Sequence, residues 1–192
     1  INLPLDVLCR LLRREFPARV HVANAEDIAT VLRISDEFGF DAVLDHVTEG
    51  HLIADLLARR RVPCVVGPMM VADKSPQTRH LTFATPAALA RKGVPIAITT
   101  DHPVIPLKLL PLQAALAVKA GLDGEAALRA VTIHPAGILG VADRVGSIEP
   151  GKDADIVILT ASPLDPFAQV LHILVNGAII VSMKDPMPAP AT

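Results

Sequence analysis

Aromatic side chains are scarce in this sequence of 192 residues, which contains no Trp, no Tyr and only five Phe. Proteins that bind bases without a sequence preference use aromatic rings as stacking platforms. The scarcity of such rings argues against a site that stacks on sugars or nucleobases.

Cysteine is equally rare. Cys9 and Cys64 are the two in the chain, and they lie far apart in apolar stretches. This usage fits neither a disulfide framework nor a CxxC metal site. We therefore expect both cysteines to be packing residues in a protein of the reducing cytoplasm.

An excess of charge of one sign is also missing. The sequence has 18 Lys and Arg residues and 20 Asp and Glu residues, which gives a formal net charge of −2. A basic field that could gather phosphates is therefore absent. No apolar run reaches the roughly 18 to 20 residues of a membrane span, and the first residues lack a secretory pattern. We expect neither nucleic acid nor a membrane as a partner.

Alternating strand and helix patterns fill the first 121 residues. Strands that are apolar throughout, each followed by a helix, are typical of a parallel sheet covered on both faces. An open doubly wound sheet or part of an eight-unit barrel would fit, but no strand is followed by the GxGxxG of a nucleotide-binding fold. The predicted pairs are 18–24 with 25–39, 40–47 with 49–61, 62–68 with 85–93, and 94–101 with 107–121.

The character of the sequence changes after a further predicted helix over 123–140. Residues 141–183 carry short β patterns with turn signals, of which Asn176-Gly177 is the strongest. We predict a domain over 1–140, a small β portion over 141–183, and a flexible Pro/Ala-rich tail over 184–192. The chain opens without Met on a helical pattern, and we expect it to be part of a longer protein.

Chemically active side chains recur where the predicted strands end. His21 lies near the end of the first strand, His46 ends the second and Asp101 ends the fourth. The carboxyl ends of parallel strands converge on one region, where ligands bind. Two imidazoles and a carboxylate are ligands that zinc takes in a catalytic site. The pattern predicts a metal site in which Asp101 also accepts a proton from water.

Three further histidines are weaker candidates for substrate contact: His51, His80 and His102. His80 lies in a polar loop with Lys74 and Arg79, and His102 would point away from Asp101 if the pleat persists. For each of them a structural or solvent-exposed role is an open alternative. Structural roles are expected for His134 and His172.

Three segments carry a resemblance to a known family: "RVHVAN" with the strand and helix patterns after it, "GVPIAITTDHPVIP", and "GSIEPGKDADIV". Together they resemble the carboxyl-terminal half of amidohydrolase-superfamily enzymes of the imidazolonepropionase-like type. The resemblance covers about residues 1–181. It implies a (β/α)8 barrel, of which this chain would supply about strands 5–8, with a small C-terminal β appendix.

The resemblance also implies roles for individual residues. His21 and His46 match the metal-binding histidines that end the fifth and sixth strands, and Asp101 matches the acid that ends the eighth and activates water. The family binds one or two divalent metals, usually zinc. The His-x-His pair of its first strand and the Lys or Glu of its fourth have no counterpart in these residues. The chain also has Ala23 and His134 where many relatives have His and Asn.

Two hypotheses about function follow. The first is a metal-dependent hydrolase that cleaves a carbon–nitrogen bond in a small amide or cyclic amide, with the present chain a fragment of the enzyme. The second is a non-catalytic half-barrel that associates with a second copy, or with a missing half, through exposed sheet edges.

Overall fold

The computed structural model describes residues 3–72 and 75–183. Its helices and strands are α1 (Leu3–Leu12), β1 (Ala18–Val22), α2 (Ala25–Phe38), β2 (Ala42–His46), α3 (Ala54–Arg60), β3 (Cys64–Val66), α4 (Thr85–Arg91), β4 (Ile96–Ile98), α5 (Leu110–Lys119), α6 (Gly124–Ala130), α7 (Ile133–Ile138), β5 (Ile156–Leu159), β6 (Val170–Val175) and β7 (Ala178–Ser182). Short 3₁₀ turns at Gly50–Ile53 and Leu107–Leu109 precede α3 and α5.

The first four strands form a parallel sheet in the order β1-β2-β3-β4. Each strand pairs with the next along the chain, so the sheet grows in one direction. His21 lies beside Asp45 in this register, and Val22 lies beside His46. The prediction of an α/β fold with a parallel sheet is confirmed. Within the described residues, β1 and β4 are the edges of this sheet.

The two faces of the sheet pack differently. Alternate residues such as Leu44, Cys64 and Ile96 belong to the larger core, which the helices cover. The intervening residues Val43, Val65 and Ala97 form a small second cluster, against which Ile138 of α7 packs. The period of two along each strand therefore separates a helix-covered face from a face that carries only a thin apolar layer.

Helix α2 ends where the sequence predicts. Gly39 follows its last residue in the left-handed conformation, with φ of 72°, and its N–H donates to the Ser35 carbonyl. Glycine reaches this conformation without the steric penalty of a Cβ atom, so it closes the helix and turns the chain toward β2.

The predicted helix over 123–140 is two helices, α6 and α7, with Val131 and Thr132 between them. Pro135 explains the break. A continuous helix would need an N–H at position 135 to bond the Val131 carbonyl, and proline has none and its ring clashes with that carbonyl. The prediction of one helix is therefore wrong.

The last three strands form a separate antiparallel sheet in the order β5-β6-β7. Asn176 and Gly177 join β6 to β7 with φ values of 50° and 79°. Two consecutive positive φ values are typical of the type I′ turn, which confirms the predicted hairpin. The predicted flexible tail over 184–192 lies outside the described residues. The predicted domain boundary between residues 140 and 141 stays a prediction.

Helix α1 shows where the packing prediction fails. Its described residues include none that are buried, so Cys9 is exposed, whereas Cys64 in β3 is fully buried. The expectation that both cysteines pack in the core is therefore right for Cys64 and wrong for Cys9. None of the helices in 3–72 and 75–183 combines the length and apolarity that crossing a membrane would require.

Candidate active site

His21 and His46 meet at the carboxyl ends of β1 and β2. Their ring centroids are 4.2 Å apart, and the ring planes are inclined by 55°. The parallel register brings the two strand ends side by side. The predicted convergence of these two imidazoles is therefore present in the structure.

The backbone at His46 explains how its ring reaches the same side as His21. Alternation along β2 would send Asp45 and His46 to opposite faces. His46 and Val47 instead have φ values of 75° and 49°, which break the alternation where the strand ends. Both histidines consequently line one cavity.

A hydrogen bond orients the His46 ring. Its Nδ1 lies 2.8 Å from the Gly67 carbonyl oxygen. A carbonyl oxygen only accepts, so Nδ1 donates this bond and carries the ring proton. The Nε2 atom then keeps its lone pair, which is the arrangement of a histidine that binds a metal through Nε2 and is held through Nδ1.

The cavity at these strand ends has a volume of about 270 Å³. This size suits a small substrate. Its lining combines the two histidines and an acid with small, apolar and amide side chains. The lining residues are His21, Ala23, His46, Thr48, Gly67, Pro68, Val71, Gln77, Thr78, Asp101 and Val104.

Asp101 lies in a turn rather than at the end of a strand. β4 ends at Ile98, three residues earlier than the predicted strand, and Asp101 adopts a left-handed conformation with φ of 50°. Its N–H donates to the Thr99 hydroxyl oxygen at 3.0 Å. Aspartate tolerates this conformation better than most residues. The turn leaves Asp101 exposed at the cavity that the two histidines line.

The donor types at the cavity suit a divalent cation such as zinc, since two imidazoles and a carboxylate are present and His46 has its Nε2 lone pair available. Within the described residues, no group of three His, Cys, Asp or Glu side chains is arranged to hold a metal ion. The assignment of His21, His46 and Asp101 as metal ligands stays a prediction.

An ion pair spans the first two strands on the thin-layer face. Arg19 Nη2 lies 2.5 Å from Asp45 Oδ1, and Arg19 Nε lies 3.2 Å from Asp45 Oδ2. This two-point geometry fixes the planes of both groups. The pair joins β1 to β2 at Asp45, the residue before His46. The sequence analysis predicted strands here but no ion pair.

Gln113 of α5 is a fully buried polar residue that the sequence analysis missed. Its side-chain oxygen accepts from the Met69 N–H at 2.6 Å, and its nitrogen donates to the Thr99 carbonyl at 2.8 Å. It thereby joins the segments that follow β3 and β4. The signal was present, because Gln113 is the one polar residue between Leu109 and Val118.

Glu49 is the second buried group that the sequence analysis did not single out. Its carboxylate accepts from the Ala25 N–H at 2.9 Å and from His80 Nδ1 at 2.5 Å. The Ala25 N–H, followed by His80 and Arg79, lowers the pKa of Glu49 below its ordinary value of 4.5, against the opposing effect of burial. Glu49 is therefore ionised at neutral pH.

The three histidines predicted to contact substrate are not among the residues that line the cavity. His51 Nδ1 bonds the Thr85 hydroxyl at 3.0 Å, which ties it to the first residue of α4. His80 is held by Glu49, and His102 is exposed in the turn after Asp101. Their substrate roles stay predictions, and Lys74 lies outside the described residues.

His134 has the structural contact expected of it, since its Nδ1 lies 3.1 Å from the Ile96 carbonyl oxygen of β4. His172 lies in β6, in the second sheet, far along the chain from the cavity residues. Its buried Nδ1 has no hydrogen-bond partner among the described residues.

Comparison with known proteins identifies the family. Residues 15–186 match the Amidohydrolase family. The chain belongs to this family. The predicted resemblance to the amidohydrolase superfamily and its imidazolonepropionase-like members is confirmed.

Two relatives illustrate the similarity in sequence. An imidazolonepropionase of Thermoplasma acidophilum is 41% identical over 188 residues, which cover 88% of this chain and 42% of the relative. The amidohydrolase tasK of Hapsidospora irregularis is 30% identical over 183 residues, which cover 92% of this chain and 18% of the relative. The chain thus spans less than half the length of these two amidohydrolase-family relatives.

Solved structures give the same result for the fold. An amidohydrolase from Thermotoga maritima superposes with a TM-score of 0.91 at 42% identity, covering 95% of this chain and 48% of the other. An adenosine deaminase from Xanthomonas campestris, solved with bound zinc, superposes with a TM-score of 0.64 at 25% identity, covering 99% of this chain and 49% of the other.

Proposed function

We propose that this protein forms the carboxyl-terminal half of a metal-dependent hydrolase that cleaves carbon–nitrogen bonds. The observation that carries the proposal is the pair of histidines at one cavity, with His46 held through Nδ1 so that Nε2 is free. Membership of the amidohydrolase family supports the same class of reaction.

In this proposal His21 and His46 bind a divalent cation, most simply zinc, and Asp101 completes the donors that this chain supplies. The four parallel strands would be strands 5–8 of an eight-stranded barrel. Further ligands would come from strands outside these 192 residues. The coverage of the Thermotoga structure, 48% of its chain, supports this division.

Each residue then has a defined task. A bound divalent cation would polarise the scissile carbonyl and make a water molecule more acidic. Asp101 would accept the proton of the attacking water at its carboxylate and return it to the leaving nitrogen. Gly67 keeps His46 in the tautomer that binds metal through Nε2, and Thr99 holds the Asp101 backbone.

The substrate class in this proposal is a small molecule with an amide or cyclic amide bond. Imidazolones, dipeptides and N-acylated amino acids all have such a bond, and the cavity of about 270 Å³ is of a size to hold the reacting part of each. Among the weaker candidates, His102 directly follows the lining residue Asp101, and His80 lies two residues after the lining residue Thr78. A cytoplasmic location is proposed from the two unpaired cysteines.

Within the described residues, β1 and β4 each have a strand on one side alone, which favours the second candidate function, a half-barrel without catalytic activity that pairs with a second copy. Light scattering of the purified chain, with and without Zn²⁺, together with measurement of the zinc that it retains, separates the two. A dimer that forms without metal and does not respond to it supports the second candidate. A monomer that takes up Zn²⁺ supports the hydrolase.

Hydrolysis by the protein encoded by the whole gene tests the proposal. A panel of cyclic amides, dipeptides and N-acylated amino acids would be assayed with and without a chelator. Asp101→Asn should lower kcat by at least about 100-fold, the contribution of a general base. Asp41→Asn, at an exposed residue before β2, is the matched control and should retain activity. Chelator-resistant hydrolysis, or an active Asp101→Asn variant, would contradict the proposal.

A further inference from the structure

Glu49 holds three segments of chain together beside the cavity. Its side chain is only 8% exposed. The carboxylate bonds the Ala25 N–H at 2.9 Å and His80 Nδ1 at 2.5 Å, and the Glu49 N–H donates to the Ala23 carbonyl at 2.9 Å. Arg79 Nε is 3.9 Å from the same carboxylate.

Each of these partners belongs to a segment that shapes the site. Ala23 lines the cavity and Ala25 begins α2, directly after the strand that carries His21. His80 ends residues 75–80, here called the 75–80 loop, of which Gln77 and Thr78 line the cavity. Glu49 itself follows His46 by three residues.

Residue 49 has to supply a hydrogen-bond acceptor, and its surroundings favour one with negative charge. Asn24, at the start of α2, makes no capping bond through its side chain, so Glu49 supplies an acceptor to a first-turn N–H that would otherwise lack one. A carboxylate also attracts the positive end of the helix dipole and the two basic side chains of the loop. A buried carboxylate is costly unless it is paired in this way.

We propose that Glu49 is a positioning residue: it fixes the 75–80 loop against the segments that carry His21 and His46, and it keeps His80 protonated at Nδ1. The inference rests on the proposed function, because a loop that lines the cavity would contact the substrate. A carboxylate accepts and does not donate, so Nδ1 of His80 is the donor of this hydrogen bond and carries a proton.

The test is nitrogen NMR of the histidine rings together with amide hydrogen exchange in Glu49→Gln. A carboxamide has one accepting oxygen and one donating nitrogen. If the oxygen keeps the Ala25 bond, the NH2 group faces His80 and forces its proton from Nδ1 to Nε2. If the oxygen turns to His80 instead, Ala25 loses its partner, and exchange at the start of α2 increases at least 10-fold. Each of these two results, a shifted His80 tautomer or faster exchange at the start of α2, would support the inference.

His80→Ala is the second variant, and it should speed exchange in the 75–80 loop while leaving Ala25 protected. Glu37→Gln is the matched control, because Glu37 is an exposed residue of α2 that pairs with Arg33 at 2.8 Å. It should change neither the His80 tautomer nor loop exchange.

An unchanged His80 tautomer together with unchanged exchange in Glu49→Gln would overturn the inference. This holds even if the variant melts earlier, since lower stability with a wild-type His80 tautomer and wild-type exchange in both segments is the signature of a general stabilising role. Neither metal nor substrate enters these measurements. Failure of metal binding by His21 and His46 would therefore be a separate result, which concerns the proposed function alone.

Discussion

Gly67 is the residue on which the local geometry of the cavity depends most directly. Its φ of 126° lies outside the range of other residues, and a Cβ atom placed on it would meet the Thr99 carbonyl oxygen at 2.3 Å. The Gly67 carbonyl is also the acceptor for His46 Nδ1. One glycine therefore allows β3 and β4 to approach at their ends and orients a candidate metal ligand.

We expect Gly67→Ala to destabilise the protein by more than about 1 kcal/mol, because it adds both strain and a clash with backbone. Urea denaturation of the two proteins measures the difference. Gly93→Ala is the matched control, since Gly93 has φ of 75° but, apart from its chain neighbours, no atom of the described residues lies within 4 Å of the added Cβ. A Gly67→Ala loss no larger than that of Gly93→Ala would show that the clash is relieved without cost.

The two cysteines should react at very different rates. Burial raises the pKa of the Cys64 thiol to about 12, so it is protonated as well as inaccessible at pH 8. Cys9 is exposed. A disulfide reagent should therefore modify one thiol rapidly in the native protein and the second only on unfolding, and Cys9→Ser should abolish the fast phase. Two fast thiols would contradict the buried position of Cys64.

At the scale of helices and strands, α5 has a second task besides covering the sheet. Through Gln113 it reaches the segments after β3 and after β4, which carry Gly67 and Asp101. Thr99, one of the two partners, also accepts from the Asp101 N–H. The helix thus fixes the backbone on which the cavity is built.

Gln113→Leu should cost about 1–3 kcal/mol for each backbone group that it leaves buried without a partner. Thermal and urea unfolding measure this loss. Lys119→Leu, at an exposed position of the same helix, should change stability by no more than about 0.5 kcal/mol. Equal stabilities for the two variants would mean that Met69 and Thr99 find other partners.

The sequence predicted the elements well where one local rule decides them. Gly39 ends α2, Asn176-Gly177 closes the hairpin, and apolar runs form the parallel strands. It failed where two rules compete, as at Pro135, whose missing N–H divides an otherwise continuous helical pattern. For the site, strand-end position predicted that His21 and His46 meet.

The remainder of the site depends on contacts between distant parts of the chain. Glu49 and His80 are 31 residues apart, and Gln113 and Met69 are 44 apart. No periodicity or spacing rule links such positions. The left-handed backbone at His46 is equally invisible in the sequence, because β patterns alone would have placed that ring on the other face.

At the scale of the whole molecule, the chain is a parallel four-stranded sheet with one strongly covered face, followed by a small antiparallel sheet. Its relatives in the amidohydrolase family are more than twice as long as the stretch it matches. Under the proposed function, this chain must hold its own metal ligands, His21, His46 and Asp101, in place before other strands are added.

Titration of the purified chain with Co²⁺, followed through the ring signals of its histidines, tests this requirement most directly. Paramagnetic shifts and broadening detect weak as well as tight binding. We predict that the signals of His21 and His46 respond first and that His172, in the other sheet, responds last. In His46→Ala the His21 response should need at least about 10 times more Co²⁺. Equal responses from all the histidines, or an unchanged His21 response in His46→Ala, would contradict the account.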